Sequence, residues 1–334
     1  MHLPEATPVL DLMDAFRRSK TMFAAVTLGI FDRLPGTAAD LAESLAADQG
    51  ALERLLDGCC GLGLLEKRDG VYANLPVAEA YLRHGSPNRL TGYIEYSNSA
   101  LWYLWAHLED AIFEGTPRWK QAFGTEGGIF DAFYRTPEAK REFLAGMHGL
   151  GLQASPAVVR VFNLNRFTSL CDLGGATGHL VIAACERYGN MKGTIFDLPS
   201  VVDEAQPYVR QSTATERIVI QSGDFFRDPL PEADLYAVGR ILHDWGDEKI
   251  GRLLEKIFAA LPSGGGLLIA EKLLDDDRTG PVAAQMQSLN MLVCTEGRER
   301  TEGEYRHLLQ SAGFASMEAR RTGTYLDAML ALKL

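Results

Sequence analysis

The chain has 334 residues, 46% of them hydrophobic, enough for two ordinary domains or one large one with real cores. Its 33 basic and 44 acidic residues leave a formal net charge of −11, which argues against nonspecific nucleic-acid or anionic-membrane binding, since both depend on basic surface. Cys59, Cys60, Cys171, Cys185 and Cys294 form no C-x-x-C pair, and their odd number fits reduced thiols rather than a disulfide framework or a zinc site. At the amino end no basic-then-apolar leader is seen, and no apolar run reaches the roughly 18 residues of a membrane span, so the expectation is a cytoplasmic protein. From Leu10 to Val158 apolar residues recur at three- and four-residue spacing, in LMDAFRRSKTMFAAVTLGIFDRL and again in YIEYSNSALWYLWAHLEDAIF. This predicts a mainly helical first domain over residues 1–158. Inside it, TAADLAESLAADQGALERLLDGCCGLGLLEKRDGVYANL predicts two helices and a hairpin across Lys67 to Ala73 with Asp69-Gly70 at its tip, a winged-helix pattern. A DNA-binding regulator is one reading of that pattern. The second helix offers one arginine against two acids where groove-reading helices carry basic and amide side chains, so a dimerisation module is preferred. The stretch LMDAFRRSKTMFAAVTLGIF is too apolar to stay exposed, which predicts a homodimer. Trp102, Tyr103 and Trp105 sit at helical spacing and read as core.

After Arg166 the pattern changes to strand and helix in alternation: FTSLCDLG, HLVIAACERYG, KGTIFDLP, VVDEAQPYVRQ, RIVIQSGDFF, ADLYAVGRIL, DEKIGRLLEKIFAAL, GGLLIAEKLL. Such alternation predicts a Rossmann-like α/β domain over residues 159–334, with a doubly wound, mostly parallel sheet. The tail GFASMEARRTGTYLDAMLALKL adds two strand-like runs around Thr322-Gly323, an antiparallel hairpin closing one edge.

Ligands of open α/β sheets lie beyond the carboxyl ends of the strands. DLGGATGHL turns from strand into helix there, with Gly174 and Gly175 allowing close approach of a ligand to backbone. Its order is not the G-x-G-x-x-G of dinucleotide folds, and Asp172 would repel a phosphate but welcome an ammonium group. This weakens the rival reading of an NAD-dependent Rossmann oxidoreductase. Asp197, followed by Leu198, ends the second strand where an acid grips ribose hydroxyls, and Asp224 with Phe225 ends the third, suited to an adenine amino group and ring. A ligand with an amino acid at one end and a nucleoside at the other suits both halves. Met286, Asn290, Met291 and Cys294 repeat along one helical face that either lines a pocket or packs. His148 and His179 are expected to be structural.

The segments GDFFRDPLPEADLY, RILHDWGDEK, SLNMLVCTEGRERT and YLDAMLALKL closely resemble the small-molecule O-methyltransferases of the acetylserotonin and plant phenolic type, class I enzymes that use S-adenosylmethionine. The resemblance implies Gly174, Asp197, Asp224, Phe225 and Arg240 around the cofactor, with Tyr134 reaching in from the helical domain. It further implies His243 as the catalytic histidine, Glu271 and Glu299 as flanking acids, Trp245 beside the acceptor, an intertwined homodimer and no metal. Asp244 is a weaker candidate. A small aromatic hydroxylated metabolite is the expected acceptor, because a sulfonium methyl needs only alignment and proton removal from the attacking oxygen. Two departures stand out. Gly151 occupies a position where that branch has a tryptophan, removing one cofactor-side aromatic wall, and Cys294 stands where it has a glutamine. A thiol is a poor hydrogen-bond donor, which points away from N-acetylserotonin and towards a flat phenolic or quinonoid acceptor.

Overall fold

The computed structural model describes residues 4–125 and 129–334. By compactness the chain divides into two units, Met1–Trp102 and Tyr103–Leu334.

In the first unit, the helix Thr7–Thr27 buries only its last turns: Ala25 and Val26 join Ile30 and Phe31 in a closed core, while Val9, Leu10, Leu12, Met13 and Phe16 stay more than half exposed. Strand β1 (Gly36–Thr37) leads into the helix Ala38–Leu45 through a capping box in which Thr37 Oγ1 accepts from Asp40 N and the Asp40 carboxylate accepts from Thr37 N. The helix Gln49–Gly61 begins at Asp48, whose side chain accepts from Ala51 N at 2.7 Å. Strands β2 (Leu65–Arg68) and β3 (Val71–Asn74) then form the expected hairpin, with sheet order β1-β3-β2. Its tip residues Asp69 and Gly70 both take positive φ, 50° and 80°, the combination that matches the twist of the flanking strands. The later run predicted as one helix is instead broken into Thr91–Tyr96, a widened π-helical turn at Ser97–Leu101, Trp102–Trp105 and Leu108–Glu114. The boundary between the units falls inside this run, well before the expected one at residue 158. The reason lies in the helix Pro137–Val158, whose Ala154 and Val158 share a core with Leu180, Val181 and Ala184 of the sheet unit.

The second unit is built on a seven-stranded sheet of β4 (Ser169–Leu173), β5 (Lys192–Asp197), β6 (Ile218–Ser222), β7 (Leu235–Gly239), β8 (Gly266–Glu271), β9 (Ser316–Arg320) and β10 (Asp327–Leu332). Its order is β6-β5-β4-β7-β8-β10-β9, parallel except for β10, which runs antiparallel to both neighbours. Alternation along the central strands fills two cores at once. Leu170, Leu235, Ala237, Leu268 and Ala270 face one, and Cys171, Leu173, Tyr236, Val238, Leu267 and Ile269 face the other. The edge hairpin is held by register, Asp327 opposite Glu271 through Leu332 opposite Gly266, and by buried Asp327 between Lys272 at 3.2 Å and Arg321 at 2.9 Å. Among the described residues no helix is long and apolar enough to cross a membrane.

Candidate functional site

From β4 the sheet order departs in opposite directions, to β5 on one side and β7 on the other, and this is where a doubly wound sheet opens a crevice at its carboxyl end. A cavity of about 560 Å³ occupies it, lined by Tyr134, Gly174, Asp197, Leu198, Asp224, Phe225, Arg240 and Trp245 among others. Gly174, at φ 73°, donates to Phe196 O at 2.8 Å, and a Cβ there would lie 2.4 Å from Ile241 Cδ1, so only glycine lets the turn close this tightly. Asp197 accepts from Ala176 N at 2.8 Å and from Leu198 N at 2.7 Å. Burial raises its carboxyl to about 6 against the pull of those two bonds. Asp224 accepts from Phe226 N at 2.8 Å beside the tilted pair Phe225 and Phe226, whose centroids are 4.8 Å apart. Burial, then the charges of Asp197 and Asp244, keep the Tyr134 hydroxyl protonated. Arg240 holds a positive φ of 58° and sets its guanidinium over the Tyr325 ring at 5.2 Å.

Asp172 and Gly175 stand elsewhere than expected, off the cavity wall. Asp172 is 3% exposed beneath the glycine turn, and burial, followed by the charge of Asp197, pushes its carboxyl up to about 8. Its Oδ2 lies 3.1 Å from the position a Gly175 Cβ would take, so the acid supports the turn from below.

Beyond β7 the chain makes a short helical turn, Leu242–Asp244, that carries His243 into a buried cluster. His243 Nδ1 lies 2.6 Å from Glu299 Oε1 and 3.4 Å from Glu271 Oε2, while Nε2 faces Asp244 Oδ1 at 3.9 Å. Glu271 Oε1 is pinned by the backbone N–H groups of Ile241 and Leu242, both at 2.9 Å. Burial raises the Glu271 carboxyl, raises Glu299 to about 8 and raises Asp244 to about 7. His243, Glu271 and Glu299 place one ligand atom each within 4.8 Å of one another, a grouping also able to surround a metal ion. The 2.6 Å contact favours a shared proton, because two ligand atoms on one tetrahedral zinc stand roughly 3.3 Å apart.

These buried acids make a thermodynamic prediction. Asp172, Asp197, Asp244 and Glu299 all hold their protons more tightly folded than unfolded. The folded chain therefore binds more protons than the unfolded one above about pH 4, and the stability this contributes is lost as pH rises through about 6 to 8. Thermal melts of the ligand-free protein should show a midpoint that falls from about pH 5.5 to about pH 8.5; a rising midpoint contradicts the assignment.

The helix Val282–Cys294 carries the other candidates. Trp105 Nε1 donates to Asn290 Oδ1 at 2.9 Å, Cys294 Sγ lies 3.9 Å from the same oxygen, and Trp119 Nε1 donates to Cys294 O at 2.8 Å. Burial and then the charge of Asp244 raise the Cys294 thiol. Met291 is buried and Met286 is 46% exposed; none of the four lies on the wall of the 560 Å³ cavity. Of the row read as core, Tyr103 is 52% exposed. Trp245 lines the cavity with Phe226 against it at 5.4 Å, on the Asp224 and Phe225 side.

Several residues escaped sequence reasoning. Arg300 is 1% exposed and donates to Leu242 O, Trp245 O, Arg298 O and the Asp247 carboxylate, clamping the peptide that carries His243. Gly297 abuts that peptide from the other loop. His179, expected to be structural, lies on the cavity wall, and its ring packs over Gly151 where an aromatic wall was expected to be missing. For the last pair the signal in the sequence was Gly151, standing where the resembled branch has a tryptophan.

The O-methyltransferase domain family matches residues 105–315, and the O-methyltransferase dimerisation domain matches residues 10–84. The chain belongs to the S-adenosylmethionine-dependent O-methyltransferase family. It is 40% identical over 333 residues to the acetylserotonin O-methyltransferase of Bos taurus, covering 97% of this chain and 96% of that protein. It is 42% identical over 337 residues to a probable bifunctional dTTP/UTP pyrophosphatase/methyltransferase protein of Homo sapiens, spanning 99% of this chain but only 54% of that protein's length. Human N-acetylserotonin methyltransferase, solved in complex with S-adenosylmethionine, superposes with a TM-score of 0.94 at 39% identity, covering 99% of this chain and 98% of that one. The nicotinamide and DNA-binding readings find no support in these likenesses.

Proposed function

We propose that the protein methylates a hydroxyl, phenolic in kind, of a small aromatic metabolite, with His243 as the proton acceptor. The observation that carries this reading is the buried His243, Glu299 and Glu271 cluster beside a cavity whose polar groups suit a nucleoside joined to an amino acid. S-adenosylmethionine, when bound, supplies a methyl group already activated on a sulfonium. Asp197 has lone pairs left for ribose hydroxyls, and Asp224 with Phe225 and Trp245 holds an adenine. Asp172, under the turn and with its carboxyl raised to about 8, supports the glycine backbone rather than contacting the ammonium end.

When Glu299 is ionised, Nδ1–H of His243 donates to its carboxylate, which fixes the tautomer and leaves the Nε2 lone pair to accept the acceptor's proton; with Glu299 raised to about 8, this form grows as pH rises towards that value. Glu271, with one oxygen fixed by two backbone N–H groups, turns its other oxygen to Nδ1 and stabilises the imidazolium. Asp244, next to Nε2, is placed to take part in handling that proton, a larger role than its neighbouring position in sequence suggested. The acceptor's ring would lie towards Asn290 and Cys294, where a thiol replaces an amide, which supports an acceptor lacking the acetamide of N-acetylserotonin. Calorimetry should detect binding of S-adenosylmethionine and of S-adenosylhomocysteine and none of NADH, and the protein should methylate simple catechols or hydroxyquinones faster than N-acetylserotonin. NADH binding in place of the sulfonium compound would overturn the proposal.

The exposed row Leu10, Leu12, Met13 and Phe16 lies in the stretch matched to a dimerisation domain, and a second copy of the chain is its proposed cover. Light scattering should report twice the chain mass. Leu12→Asp with Phe16→Asp should halve it; a wild-type monomer at micromolar concentration removes this part of the reading.

A further inference from the structure

His179 is the first residue of the helix His179–Arg187, at the end of the glycine turn, and its ring lines the cavity alongside Gly174, Ala176 and Arg240. Three features fix the ring. Its Nδ1 lies 2.8 Å from Ser155 Oγ. Gly151 offers it a flat bed, since a Cβ at that position would lie 2.3 Å from the imidazole Cγ and Cδ2. Burial, and then the nearby Arg240 guanidinium, lower it to about 4, so at neutral pH it is an uncharged imidazole. Here, then, a helix amino terminus, a guanidinium and an imidazole converge, all suited to an anion, while the buried acids Asp172 and Asp197 lie on the β4 and β5 side.

We infer that His179 is a specificity-determining residue for the cofactor, holding the carboxylate of its amino-acid end through Nε2–H while Ser155 Oγ–H donates to Nδ1. The inference rests on the reading of the cavity as a site for S-adenosylmethionine, and it assigns each charge of the amino acid to a different wall. The carboxylate is drawn to the helix end, Arg240 and His179, and the ammonium lies towards the β4 and β5 side, away from that guanidinium. Gly151 belongs to the same device. The small residue at 151 makes room for the imidazole at 179.

Two ligands separate the ends of the site: S-adenosylhomocysteine carries the amino acid, and 5′-methylthioadenosine carries the nucleoside and sulfur without it. By calorimetry, His179→Ala should weaken S-adenosylhomocysteine binding about 10- to 100-fold, the usual range for one hydrogen bond to a charged group, and leave 5′-methylthioadenosine within about twofold. His179→Gln, which keeps an N–H donor, should recover part of the loss. Gly151→Ala, which pushes the ring from its bed with the imidazole still in the chain, should reproduce the selective loss. An equal loss for both ligands in His179→Ala, including a loss through misfolding that also abolishes 5′-methylthioadenosine binding, overturns the inference. Failure of the unaltered protein to bind either ligand would instead overturn the proposed function beneath it.

Discussion

Replacing His243 by alanine is expected to lower turnover by about 10²–10⁴-fold, the range for losing a general base, while affinity for the cofactor changes little, because His243 does not line the cofactor cavity. The size of the defect should depend on the acceptor. A phenol of pKa about 10 is almost wholly protonated at neutral pH, so its proton has to leave before or during attack. Assistance during attack is therefore worth most for weakly acidic acceptors. As acceptor pKa falls towards neutrality the hydroxyl ionises by itself, and the penalty of the substitution should shrink. Glu299→Gln should cost less, since the imidazole remains but its Nδ1–H loses a charged partner 2.6 Å away. Wild-type turnover of His243→Ala on an acceptor of pKa near 10 would falsify the base assignment.

Gly297→Ala should be the more damaging of two glycine substitutions that look alike in sequence. A Cβ at 297 would lie 2.1 Å from His243 O and 2.6 Å from both Asp244 C and Trp245 N, all of them backbone atoms with no side-chain freedom to yield. Either the loop carrying Glu299 or the turn carrying His243 has to move. Overpacking of this kind costs about 3 kcal/mol or more, a fall in melting temperature of roughly 6–12 °C for a unit of this size, and the displaced imidazole should cost at least 10²-fold in turnover. Gly251→Ala is the control. It lies within the helix Asp247–Ala260 with nothing within 4 Å of its added Cβ, so alanine there should stabilise by about 0.5–1 kcal/mol. Similar melting behaviour for the two variants would show that the two loops are not in contact as described.

The sheet was readable because its central strands β4, β7 and β8 are buried almost throughout and largely apolar, as strands covered on both faces must be, and end at turn signals. The same logic located Asp197 and Asp224, since an acid at the carboxyl end of a parallel strand has no reason to be there except a cap or a ligand. Asp172 was readable as to place but not direction: whether an acid at a strand end faces the crevice or the underside of its own turn is decided by the dihedrals of the glycines that follow. The unit boundary was missed for a related reason. Periodicity shows that the helix Pro137–Val158 is amphipathic but not which core receives it, and its Ala154 and Val158 pack with Leu180 and Val181. Gly297 and His179 depend on contacts between segments 50 or more residues apart in some cases, and no local pattern encodes such a contact. The buried cluster around His243 was legible only through resemblance: three elements converge on it, from the ends of β7 and β8 and from the loop before the helix Glu302–Ser311.

The clamp made by Arg300 has a bearing on how rate measurements on this protein should be read. A guanidinium stays protonated across any pH at which a protein survives, so its bonds to Leu242 O, Trp245 O and Arg298 O do not titrate. Its remaining partner, Asp247, is an acid whose carboxyl stays below the usual carboxylate range, because Arg300 and Arg298 outweigh the opposing effect of its burial. The clamp on the peptide that carries His243 thus keeps its charges from mildly acidic to strongly basic solution. Protons reported by a pH–rate profile then sit on the groups that face the imidazole, Glu299 at about 8 and Asp244 at about 7 among them, and not on the clamp that holds its peptide.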